Sequence, residues 1–178
     1  MPPKAEPAQD TAASKGSGST LGNIWSNFSS PFSSGVQPVS QKSPPAEMTA
    51  LDPNEALRLV NDYRAQNGLK PVALDPHATQ AATALVQDMA KHDHMSHFGP
   101  NGQDIGKRLM GAGYPFHLAA ENVAAGQPTL TGLIDDWKKS PTHSRNMLLK
   151  DAKHIGIAYE YKSDTKFKTF WALVAAAP

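Results

Sequence analysis

The stretch HDHMSH, residues 92 to 97, gathers three of the chain's seven histidines. Imidazoles are frequent donors to divalent cations, so such a tract first suggests a metal site. Spacing narrows the idea. His92 and His94 point to different sides of any helix, whereas His94 and His97 share a side only if a helix runs that far. Histidines at a solvated helix end are the plainer reading. Another imidazole, His143, lies in SPTHSRNM, residues 140 to 147. Ser140 and Pro141 read there as N-cap and first helical position. His143 then sits in the first turn, whose unpaired N–H groups and positive dipole end favour a neutral, ligand-competent ring. A capped surface helix with an incidental histidine is the alternative. Glu121, in AAENVAAG, stands among small apolar residues, where a carboxylate is costly unless paired or ligated. Two imidazoles, His97 and His143, would meet that need. A satisfied polar core, in which the three groups only hydrogen-bond, would meet it equally.

The elements that must position these residues begin at Leu51. DPNEALRLVNDYRAQNG opens with Asp52 as N-cap, Pro53 at the first position and Glu55 three residues after the cap, and stops at Gly68. DPHATQAATALVQDMAKH repeats the device with Asp75 and Pro76, and Ala78, Ala81, Ala82, Leu85 and Met89 trace a buried stripe. Asn101 and Gly102 turn the chain into a short helical pattern, QDIGKRLMGAG. A fourth helix is expected over residues 130–139, with Leu130, Leu133, Ile134 and Trp137 on one face. Strands come late: HIGIAYEY alternates Ile155, Ile157, Tyr159 and Tyr161, and KFKTFWALVAA follows after a polar turn at Ser163 and Asp164. Residues 120–124 supply a further strand. The order of helices and strands predicts an α+β fold with helices packed over an antiparallel sheet.

Residues 1–50 differ in kind. They hold seven of 15 prolines and ten serines with only six Lys, Arg, Asp or Glu, the composition of a disordered tail or linker. Leu21, Ile24, Trp25 and Phe28 interrupt it at i, i+3, i+4 and i+7, the stripe of a short helix docking on a membrane surface or a protein. Scattered hydrophobes in a coil fit as well, since so short a helix is marginal in water.

Composition removes several classes of function. The net charge of +1 and the lack of a basic cluster argue against nucleic acid. With no cysteine, disulfides, thiol catalysis and thiolate metal sites are excluded. There is no G-x-S-x-G elbow, H-E-x-x-H or phosphate-binding glycine loop. No apolar run approaches the roughly 20 residues of a bilayer span, and no signal peptide is visible.

MSHFGPNGQDIGKRLMGAGY, AENVAAG, DDWKKSPTHSRNML and HIGIAYEY occur in an order that resembles the CAP superfamily, the SCP-like group of cysteine-rich secretory, antigen 5 and pathogenesis-related proteins. The likeness runs from Leu51 to the C-terminus and is strongest to compact bacterial members, which commonly lack disulfides. It implies a three-layer α-β-α sandwich with a central antiparallel sheet, preceded here by the disordered tail. It also implies a cleft with two histidines and two acids, whose histidines bind a divalent metal in several members. By position, His97 matches the first histidine, Glu121 the first acid and His143 the second histidine. The second acid does not carry over. In eukaryotic members it lies three residues after the tryptophan, a position held here by Ser140. Asp136 lies one turn before Ser140 on a continuous helix, but a helix break at Ser140 would part them.

The resemblance implies a secreted or periplasmic protein, and a monomer is expected. Its expected role is a non-enzymatic binding module for a small molecule, a lipid or a cell-envelope component, with His97 and His143 holding Zn2+ or another divalent cation. The alternative is a metal-assisted hydrolase of peptides or esters, with the metal acidifying a bound water.

Overall fold

A computed structural model of the chain describes residues 51–178. The predicted tail, with Leu21, Ile24, Trp25 and Phe28, lies outside the described residues. Among these residues five α-helices, α1 (Pro53–Gln66), α2 (Pro76–His92), α3 (Ile105–Gly111), α4 (Leu130–Lys139) and α5 (Pro141–Met147), are interspersed with four strands. The strands are β1 (Ala73–Leu74), β2 (Leu118–Ala125), β3 (His154–Tyr161) and β4 (Thr169–Ala177), in the sheet order β1-β3-β4-β2. The three long strands pair antiparallel, as expected. The two-residue β1 was not anticipated and pairs parallel to β3. It is too short to carry a periodic signal.

β4 explains the layering. All nine of its residues are buried. Phe170, Ala172, Val174 and Ala176 pack with α2 and α3, while Trp171, Leu173 and Ala175 pack with α1 and α4. A strand covered on both faces reads as an unbroken apolar run, which is how TFWALVAAA reads. The result is the α-β-α sandwich. Gly156 in β3 is required by this packing. A Cβ there would stand 2.1 Å from the carbonyl carbon of Ala78, so only hydrogen lets α2 lie on the sheet.

The helix ends follow the predicted chemistry with two differences. Asp52 and Asp75 accept from Asn54 N and from His77 N and Ala78 N. Glu55 does not reach back to complete a capping box; its carboxylate pairs with Arg58 at 2.6 Å. α2 ends at His92, with Asp93 in the left-handed region at φ 49°, so His94 and His97 do not share a helical face. The Asp93 carboxylate instead accepts from Lys166 N and Phe167 N and ties the helix end to the β3–β4 turn. α4 stops at Ser140 because Pro141 cannot continue it, and α5 starts there in a new direction. Ser140 is the N-cap by position, yet its hydroxyl makes no capping bond.

Candidate binding site around His97 and Glu121

Glu121 lies on β2, at the edge of the sheet. Strand alternation turns its side chain, like that of Val123, toward the α2–α3 layer, and turns Asn122 and Ala124 toward α4 and α5. The residue is 6% exposed, so its charge needs partners. It has two. Oε1 faces Nδ1 of His97 at 3.0 Å, and Oε2 is bound by Nη2 of Arg108 from α3. An ionised carboxylate can only accept, so in a neutral His97 ring the hydrogen sits on Nδ1 and Nε2 is the acceptor. His97 keeps 26% of its side chain exposed.

Arg108 does more than neutralise Glu121. Nη1 donates to the carbonyls of His97 at 3.0 Å and Gln103 at 2.8 Å, and Nε to Ala81 at 3.3 Å. The guanidinium therefore holds both the acid and the loop that carries the histidine.

On the other face an amide network holds α5. Asn146 Nδ2 donates to the backbone carbonyl of Glu121 and to Asn122 Oδ1, both at 2.9 Å. Asn122 Nδ2 donates to the carbonyl of His143 at 3.0 Å. The His143 ring lies 6.1 Å from that of Trp137, and Tyr63 Oη meets Ser144 Oγ at 2.7 Å. Arg64 of α1 donates to the carbonyls of Met147 and Leu149, at and just past the end of the same helix. The two histidines thus belong to opposite layers and flank the edge strand at Glu121 and Asn122.

The candidate residues are therefore placed unequally. His97 and Glu121 are joined directly. His143 is tied to the same strand through its backbone carbonyl, which accepts from Asn122, while its ring lies by Trp137. Asp136 is exposed on α4, and Ser140 stands at the α4–α5 junction. His92 and His94 are exposed, with His92 bonded to Asp88 on its own helix. Arg108, Asn122 and Asn146 were not anticipated. The need of Glu121 for a partner was readable; that Arg108 fills half of it was not, because an arginine beside Leu109 on a short helix ordinarily faces water.

The donor set for a cation follows. Among the described residues no group of three or more His, Cys, Asp or Glu is arranged to hold a metal. Glu121, committed to Arg108 and His97, does not fit as a ligand. Its place is behind His97, where a carboxylate orients the imidazole that it binds. His97 fits as a donor through Nε2, and His143 is the remaining candidate.

The family model "Cysteine-rich secretory protein family" matches residues 57–175. The chain belongs to this family. It is a member without cysteine. Its domain is 30% identical over 117 residues to the YkwD protein of Bacillus subtilis, covering 66% of this chain and 45% of that protein. The membrane protein YlbC of the same organism is 25% identical over 112 residues, covering 63% of this chain and 32% of that protein. The chain thus spans less than half the length of these relatives. Among solved structures, an extracellular SCP-domain protein of Bacillus anthracis superposes with a TM-score of 0.61 at 22% identity, covering 73% of this chain and 45% of that one. An outer surface protein of Borrelia burgdorferi gives 0.62 at 18% identity, covering 71% and 95%. These two establish the fold.

Proposed function

We propose that this domain is a non-enzymatic binding module working outside the cytoplasm. In this reading His97 and His143 present imidazole donors to a divalent cation such as Zn2+, and water or the ligand's own donors complete the shell. The ligand is a small molecule, lipid or cell-envelope component. One observation carries the reading: the buried Glu121 carboxylate is taken by Arg108 and His97, which in a neutral ring leaves Nε2 of the partly exposed His97 as the acceptor. The same observation disfavours the metal-assisted hydrolase, since Glu121 is not free to serve as general base. The extracellular description of the Bacillus anthracis neighbour supports export, and no helix of the described residues is long and apolar enough to cross a membrane.

The test is a binding screen of the full chain against lipid vesicles, glycans and peptides, with and without Zn2+. Saturable binding that weakens in His97→Ala is expected. Binding that ignores His97, or chelator-sensitive turnover of a peptide or ester, would overturn the reading.

A further inference from the structure

The loop from His97 to Gln103 is built around one side chain. Arg108 leaves α3 and runs under this loop, with 1% of its side chain exposed. Its Nη1 binds the carbonyls at both ends of the loop, those of His97 and Gln103. Gly99 and Gln103 close the loop with a backbone bridge. At the loop's middle, a Cβ on Gly99 would lie 3.0 Å from Arg108 Cδ, so the glycine lets the backbone settle on the arginine stem. The second guanidinium branch, Nη2, then holds Glu121 Oε2, which presents Oε1 to His97 Nδ1.

We infer that Arg108 is the positioning residue of this site: by gripping both the His97 backbone and the Glu121 carboxylate, it fixes the His97 tautomer and aims Nε2 at the ligand. No direct contact between Arg108 and the ligand is involved. The argument is one of geometry. A planar guanidinium offers donors in a rigid fork, so one side chain can serve a carboxylate and two carbonyls in fixed directions. Lysine supplies a point charge without that fork. Without the guanidinium the carboxylate is free to turn, the loop loses its anchor, and the ring samples both tautomers. The inference rests on the binding reading only for its effect on affinity.

The experiment compares wild type, Arg108→Lys and Arg108→Gln in the full chain. At one fixed pH with the ring neutral, side-chain 15N shifts of His97 report which nitrogen carries hydrogen, and Zn2+ titration reports affinity. Wild type should show a single Nδ1–H form. Arg108→Gln should show mixed tautomers and about 10–100-fold weaker Zn2+ binding, the usual cost of losing a ligand's supporting group. Arg108→Lys should fall between the two. If Arg108→Gln does not fold, the Arg108→Lys tautomer decides. A wild-type tautomer in each variant that folds overturns the inference. Absence of Zn2+ binding to wild type would instead sink the binding reading, with the tautomer still deciding the role of Arg108.

Discussion

Arg108 and Arg64 are both nearly sealed from solvent, at 3% and 1% exposure, on opposite faces of the sheet. Arg108 faces a carboxylate. Arg64 faces only carbonyl oxygens, those of Lys70, Met147 and Leu149, and its Nη2 is buried without a partner. Burial holds the Arg64 guanidinium below the ordinary arginine range. Two of its carbonyls lie at the C-terminal end of α5, where the helix dipole is negative and favours a cation. The comparison separates two uses of buried charge. One closes an ion-paired chain that ends on a partly exposed imidazole, and the other pins a helix. Only the first reaches a side chain that solvent touches.

The largest expected effect breaks the first arrangement. Arg108→Met leaves a buried carboxylate with one imidazole partner and should cost about 3–5 kcal/mol in urea unfolding. Adding Glu121→Leu should recover most of that loss, because a buried pair replaced by apolar groups is often neutral. If the double variant is no better than the single, the stranded charge is not the cause. Arg64→Met strands only carbonyls and should cost less, about 1–3 kcal/mol by the same assay. An equal or larger loss than for Arg108→Met would erase the distinction.

A smaller effect concerns two tyrosines, again one on each face. Burial, then the Asp75 charge, raises the Tyr114 phenol above its ordinary value; burial, then Tyr161 and Glu160, raises that of Tyr159. A folded value above the unfolded one favours the protonated form. The associated stability is therefore full below about pH 10, the unfolded tyrosine value, and is lost as pH rises through the folded value. Alkaline unfolding curves should flatten in Tyr159→Phe. The hydroxyl of Tyr159 is buried without a partner, so its removal should leave stability at neutral pH nearly unchanged. Tyr114 bonds His154 Nδ1 at 2.7 Å, and Tyr114→Phe should cost about 1 kcal/mol there. The smallest effect belongs to the exposed Glu55–Arg58 pair, whose loss in Glu55→Ala should leave the thermal midpoint within error.

The same two faces show what the sequence made legible. α4 was readable to its ends, Leu130–Lys139, because its apolar stripe and the proline after Ser140 are local signals. β4 was readable as a strand because burial on both faces leaves no polar alternation to confuse it. Glu121 was readable as a residue needing a partner, and His97 as one of its partners. Arg108 was not readable, because its inward direction is set by loop carbonyls at His97 and Gln103 that only the fold brings together. Arg64 was hidden for the same reason, since two of its carbonyl partners lie more than 80 residues away. Local chemistry speaks through spacing; tertiary partners of long polar side chains do not.

Calorimetric titration of the full chain with Zn2+ tests the binding reading most directly, comparing wild type with His97→Ala and His143→Ala. The account predicts about one ion per chain, bound with proton release because neutral imidazoles are required, and at least about tenfold weaker after either substitution. Affinity unchanged in both variants would contradict it, and His97, Glu121 and Arg108 would then be a polar core that only holds the loop to the sheet.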